Sequence, residues 1–377
     1  MSSFAVQPRR RAWRAHLLEF ACAIGLLSAA ATQAQDASSA VYIRSDTDHT
    51  TVVTPRVRVG TKLGPATRVD ASYTADVWTS ASIDIATSAS KAVTEQRDEL
   101  DLSVRQELSE ASLSAAYRFS TEPDYESHGI TLGASRDFAQ KSTTLALSVS
   151  ALFDRVGRVG DPAFSRSLHT FVARASATQL LDALSWLQGI YEIGYADGFL
   201  ASPYRFVGIG PGLPRCAEPG ASCIRESLPG ERLRHALALL GRRALSDAIS
   251  LDASYRFYID GWKLLSNTAQ AGLSVMPWVD TRLSVGYRFY TQTAARYYRA
   301  RVPSLAALGR YTTRDKELSP FMSHSLAFTL DQGFALSPSD ALHVAATLGP
   351  TLYLFYDFPA YDHLFAFEAT VAVRVEL

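Results

Sequence analysis

The chain has 377 residues, with 37 Lys and Arg against 37 Asp and Glu, so its formal net charge is zero and nothing draws it as a whole toward nucleic acid or other polyanions. Hydrophobic residues make up 47%, yet beyond the first few dozen positions no apolar run approaches the ~20 residues of a membrane-spanning helix. Helical membrane proteins are excluded.

The amino terminus has the order of a secretory signal peptide. Arg9, Arg10, Arg11 and Arg14 precede Leu17-Leu18 and the apolar stretch Phe20 to Leu27, and the small-residue run Ser28 to Thr32 and Gln33-Ala34-Gln35 follow. A membrane anchor is the competing reading, but a run this short, interrupted by Glu19, falls below the length of a helical span. Cleavage is expected after Ala34, with Ala31 as second choice. Residues 1–34 are thus a signal peptide and 35–377 one mature domain, with 33 basic and 36 acidic side chains and a net charge of about −3. Export places Cys216 and Cys223 in an oxidising compartment, where cysteines flanking the turn-forming Glu218-Pro219-Gly220 can close a disulfide. A metal pair would need further ligands, and no His lies between His169 and His235.

The mature chain is dominated by period-two alternation, the pattern of a strand with one apolar face. In chain order the alternating segments are 39–45, 51–60, 67–79, 97–107, 110–120, 129–138, 143–153, 167–177, 184–196, 231–244, 248–259, 265–276, 281–291, 323–335, 341–350 and 364–377. In the segment at 248–259, Ile249, Leu251, Ala253, Tyr255, Phe257 and Ile259 oppose Ser250, Asp252, Ser254, Arg256 and Tyr258. Short connections at 61–66, 108–109, 139–142, 178–183, 245–247, 277–280 and 336–340 alternate with mostly longer ones at 80–96, 121–128, 154–166, 197–230, 292–322 and 351–363. One-sided loop lengths of this kind predict an all-β, closed, antiparallel up-and-down transmembrane barrel of about 16 strands, with periplasmic turns and extracellular loops. A soluble β-sandwich explains the alternation but not the loop asymmetry.

A barrel this wide takes water inside, so the apolar face must meet lipid. Tyr117, Phe119, Tyr255, Phe257, Tyr287 and Phe289, near the upper ends of ascending strands, form the expected outer aromatic girdle, with Tyr191 and Tyr195 beside them. Arg118, Arg256 and Arg288, each set between two girdle aromatics, then face the lumen, as does Asp252. Such arginines either bias the pore toward anions or pair with Asp70, Asp76, Asp101 and Asp252 as braces.

Several motifs resemble a family of outer-membrane barrels designated domain of unknown function 3570. They are Val77 to Ala89 with Thr94-Glu95-Gln96-Arg97, Arg118-Phe119-Ser120-Thr121-Glu122-Pro123-Asp124-Tyr125, Asp154 to Pro162, Gly198 to Arg205, Tyr255-Arg256-Phe257-Tyr258 with Asp260-Gly261-Trp262, and Tyr287 to Gln292 with Ala294 to Tyr298. The resemblance spans nearly the whole mature chain and implies the fold without assigning an activity to particular residues. Barrels of this kind commonly finish on an aromatic residue, whereas this chain ends Val375-Glu376-Leu377.

Little catalytic chemistry is legible. A Ser/His/Asn hydrolase would draw on Ser323-His324-Ser325 and Asn267, the sole asparagine, which belong to different strand ends. Asp46, Asp48 and His49 near Asp362-His363 form a candidate cation site or ordinary turns. Gly208-Ile209-Gly210-Pro211-Gly212 lacks the lysine of a phosphate loop. No cofactor and no enzymatic activity are expected. The leading expectation is a porin-like pore, or a passive or partner-assisted channel for small solutes, in the outer membrane of a Gram-negative bacterium. The alternatives are a non-conducting envelope component and a barrel-wall hydrolase. The expected partners are outer-membrane lipid, lipopolysaccharide phosphates near Arg296, Arg299 and Arg301, the barrel-insertion machinery, and envelope or periplasmic proteins; nucleic acid is not expected.

Overall fold

The computed structural model describes residues 35–80, 93–210, 216, 222–338 and 340–376. The targeting segment 1–34, most of the Val77–Ala89 motif and Leu377 lie outside the described residues. The wall consists of β1 Asp36–Asp46, β2 Thr50–Leu63, β3 Thr67–Ser80, β4 Val93–Glu107, β5 Ala111–Glu122, β6 Tyr125–Phe138, β7 Thr143–Val156, β8 Arg166–Asp182 and β9 Ser185–Gly198. It continues with β12 Glu231–Ala244, β13 Ile249–Asp260, β14 Leu265–Trp278, β15 Thr281–Gln292, β16 Phe321–Ala335, β17 Ala341–Phe355 and β18 His363–Glu376. Two short strands, β10 Phe206–Gly208 and β11 Cys223–Arg225, pair with each other inside the long loop between β9 and β12.

Each wall strand pairs antiparallel with its neighbours, β9 meets β12, and β1 joins β18 from Asp36 opposite Glu376 to Asp46 opposite Ala366, so the sheet closes as sixteen strands. All sixteen predicted strands are present, and several climb further outward than their alternation suggested. The expected loop at 121–128 is a correction: Glu122 and Tyr125 flank a two-residue turn, because Ser120 and Thr121 continue the ladder against Ser127 and Glu126. Above the bilayer both faces of a hairpin are wet, so polar residues extend a strand without an alternating pattern.

The apolar side points outward. Leu100, Leu102, Leu132, Leu147, Tyr255, Ile259 and Phe328 are exposed, as only lipid-facing side chains of this size should be. On descending strands this face is bracketed by polar residues: His128 above and Arg136 below on β6, His235 and Arg243 on β12, His324 and Gln332 on β16. Each bracket spans eight residues, roughly 27 Å along a strand and roughly 21 Å across the membrane at a tilt of about 40°, near the about 25 Å apolar band of outer-membrane barrels.

Tyr73, Tyr117, Tyr191, Tyr255 and Tyr287 on this face have polar partners one diagonal step away on the next strand. Tyr117 Oη lies 2.7 Å from His128 Nδ1, Tyr191 Oη 2.8 Å from His235 Nδ1 and Tyr287 Oη 2.7 Å from His324 Nδ1. Tyr255 donates to Asn267 Oδ1 at 2.6 Å, and Tyr73 to Asp98 at 2.5 Å. The buried apolar clusters sit in the extracellular loops instead of the wall: Trp262, Leu264, Ala295, Tyr298 and Leu318 form one, and Val207, Ile209 and Val302 another.

Candidate functional site

Period-two geometry puts Asp70, Asp76, Asp101, Asp252, Arg118, Arg256 and Arg288 on the face opposite the exposed apolar set. Most of the wall's arginines are neutralised there. Arg68 bridges Asp36 at 2.6 Å and Asp70 at 2.7 Å, and Arg58 adds a 3.0 Å contact to Asp70. Arg97 pairs with Asp76, Arg174 with Glu192 at 2.5 Å, and Arg44 with Glu368 at 3.6 Å. Arg118 bonds Asp101 at 2.9 Å and lies 3.8 Å from Glu99, so this member of the predicted set is a brace.

Arg256 on β13 and Arg288 on β15 differ. Neither has an ion-pair partner among the described residues; each guanidinium lies over a tyrosine two residues along its own strand, Tyr258 at 5.6 Å and Tyr290 at 5.3 Å. Register places them on either side of β14, Arg256 opposite Thr268 and Arg288 opposite Gln270. Arg118 stands far around the wall, with β6, β7, β8, β9 and β12 between β5 and β13, so the three predicted arginines do not form one ring. Asp252 leans across Gly272, where an added Cβ would come within 2.6 Å of its carboxylate oxygens. Arg242, its partner in register, instead donates to Ser250 at 2.8 Å.

Two cavities meet at Arg256 and Tyr290. The lower, about 470 Å³, is lined by Arg174, Glu192, Thr268, Gln270 and Arg288 besides these two. The upper, about 490 Å³, adds Arg232, Tyr258 and Gln292 from the wall and Arg205, Glu226 and Asp315 from the loops. Beside them an aromatic wall runs from Tyr290 to Phe321 at 5.4 Å, then to Tyr353 at 6.1 Å and Phe355 at 5.3 Å.

The mouth above is laced by its loops. The long loop leaves the wall at Gly198, whose φ of 131° favours glycine and where a Cβ would lie 2.2 Å from the Ser167 carbonyl oxygen. Glu226, buried in this loop, accepts from the Ser202 N–H at 2.5 Å and from Thr313 Oγ1 of the loop between β15 and β16 at 2.6 Å. Burial pushes its carboxyl above the usual glutamate range, against the opposing pull of Arg205. Arg205 bonds Asp315 at 2.6 Å, and Ser227 and Thr312 exchange backbone hydrogen bonds. Tyr204 carries the lacing to Asp124 and the Val159 N–H, Lys316 to Asp48 at 3.6 Å, and Tyr298 to the Asp357 carbonyl at 2.5 Å. Cys216 and Cys223 form the expected disulfide at the foot of β11. The lacing was not legible in the sequence, since its partners are far apart along the chain and carry no common motif.

The hydrolase set is not assembled: Ser323 and Ser325 face the lumen, while His324 between them faces outward to Tyr287, and Asn267 is bound to Tyr255. Asp46 accepts from the N–H groups of Asp48 and Thr50 at 3.1 and 3.0 Å, a turn-holding role. No group of three metal-ligating side chains gathers among the described residues.

No curated protein matches the chain in sequence. Among solved structures, a bacterial polysaccharide outer membrane secretin aligns with a TM-score of 0.50 and 11% identity over 90% of this chain and 98% of its own. CdiB from Acinetobacter baumannii aligns at 0.45 and 11% over 89% and 60%, and the CymD monoaromatic hydrocarbon channel at 0.41 and 10% over 92% and 89%. Likeness at this identity speaks to fold alone. A family model described as Protein of unknown function (DUF3570) matches residues 89–172 and 165–346. The chain therefore belongs to the DUF3570 family, as an outer-membrane β-barrel of sixteen strands.

Proposed function

We propose that the protein is a passive or partner-assisted channel for small solutes that favours anions. The observation that supports this reading is the pair Arg256 and Arg288, without carboxylate partners among the described residues beside a lumen cavity of about 470 Å³, while most wall arginines are neutralised. Uncompensated guanidinium groups at a pore wall lower the electrostatic barrier for anions and raise it for cations. Tyr290 and Phe321 beside them offer ring faces to the apolar part of an organic anion. Outer-membrane lipid and the barrel-insertion machinery are the partners this reading requires, and no catalytic step is proposed.

The test is single-channel recording in a planar bilayer under a salt gradient. The wild-type chain should conduct with an anion-selective reversal potential, and Arg256→Gln with Arg288→Gln should move that potential toward zero, whereas the charge-neutral pair Arg118→Gln with Asp101→Asn should leave it nearly unchanged. The laced mouth favours a second reading, a non-conducting envelope component whose loops hold partner proteins. A folded barrel that never carries steady current would reject the channel and favour that alternative.

A further inference from the structure

The β15–β16 hairpin carries two features that do not line the lumen cavities. At the rim of the apolar band, His324 stacks on Tyr287 with ring centroids 6.1 Å apart and planes 30° apart, and Phe289 lies 5.3 Å away. In the tautomer whose Nδ1 accepts from the Tyr287 hydroxyl, the imidazole proton sits on Nε2, on the side of the ring away from Nδ1. The residue paired with His324 on the far side is Leu352, and His324 has no carboxylate partner among the described residues. His128 differs, its Nε2 being 3.6 Å from Glu126. Above the rim, the loop of the same hairpin exposes Arg296, Arg299, Arg301 and Arg310. None has an ion-pair partner among the described residues; the Arg299 guanidinium donates to the carbonyls of Arg296 and Tyr298, and Arg310 lies over Tyr311. At the opposite edge of the band the outward-facing Arg136 and Arg243 are paired, with Glu110 and Asp182, each at 3.7 Å.

A single imidazole donor placed where hydrocarbon gives way to head groups, with four unpaired guanidinium groups on the loop above it, matches an anionic head group and not an acyl chain. We propose that this hairpin docks the phosphates of the outer-leaflet glycolipid, with the His324 Nε2–H holding one phosphate at the rim and the loop arginines engaging phosphate above it. The occupant follows from height: His324 tops a bracket whose lower end is Gln332, so the layer that reaches it is the head-group layer of the outer leaflet.

The full chain, folded in detergent, would be titrated with diphosphoryl lipid A and with the same lipid after removal of its phosphates, and retention read by native mass spectrometry. The wild type should hold the phosphorylated lipid about tenfold more tightly. His324→Phe should lower that preference several-fold, as should Arg296→Gln, Arg299→Gln and Arg301→Gln combined, and Arg136→Gln should leave it intact. Tyr287→Phe, which frees the ring to turn, should give an intermediate loss and serves as the second variant if His324→Phe does not reach the compact unheated gel form. Equal retention of both lipids by the wild type overturns the proposal. So does an unchanged preference in the hairpin variants, or an equal loss in Arg136→Gln. None of these readouts depends on current, so a failed channel reading and a failed docking site are told apart.

Discussion

Asp260 shows how much a single side chain can fasten at the top of the wall. Its carboxylate is buried and accepts from Arg232 at 2.5 Å, from Tyr258 Oη at 2.9 Å, and from the backbone N–H groups of Trp262 and Leu264 at 2.9 and 3.0 Å. Arg232 in turn lies over the Trp262 ring at 4.3 Å, and Trp262 Nε1 donates to the Glu231 carbonyl at 2.9 Å. Asp260→Ala strands a half-buried guanidinium and two N–H groups, so it should cost about 2 kcal/mol, read as a lower urea midpoint for the folded barrel. Asp260→Asn, which keeps one acceptor, should lose less. The Asp260-Gly261-Trp262 motif was legible only as part of a family resemblance, and the role of its aspartate was not, because Arg232 lies 28 positions away. The same distance effect hid the imidazole partners of the girdle tyrosines: the tyrosines follow from their phase, and the histidines become meaningful only once register sets them one diagonal step away.

At the scale of elements, alternation carried nearly all of the wall, since a half-wet, half-lipid strand has no other way to satisfy both faces. It failed where the surroundings stop differing between faces, at the upper extensions of β6 and β17, and in the loops. Residues 197–230, expected to be one long constrained loop, contain the β10–β11 hairpin and the acceptor that ties two loops together. Glu226 makes that tie sensitive to pH. Its carboxyl is raised by burial, so the folded lacing binds a proton more tightly than the unfolded loop does. The stabilisation is complete below the ordinary glutamate value and fades as pH rises through the raised one. Amide protection across 223–228, corrected for the intrinsic pH dependence of exchange, should therefore rise on acidification through that window. In Glu226→Gln it should stay flat, and a wild-type profile as flat as the variant's would remove Glu226 from this role.

For the whole molecule, the decisive property is which side of the sheet meets oil. Leu132 sits mid-band on β6, exposed outward, whereas Ser148 on β7 faces the lumen. Leu132→Arg should cost about 2–4 kcal/mol of folding stability in lipid vesicles, and Ser148→Arg much less; similar losses for the two would contradict the assigned orientation. Strand number and inside-out polarity were readable because both are imposed by the bilayer on every hairpin alike. The state of the mouth was not, because it depends on long-range ties specific to this chain. Closure through β1 and β18 has one more implication. Until the final strand has been synthesised, the first keeps a bare row of peptide donors and acceptors along one edge, an invitation to sticking between copies in transit. The sheet can therefore lose its last open edge only when both ends of the wall are in place.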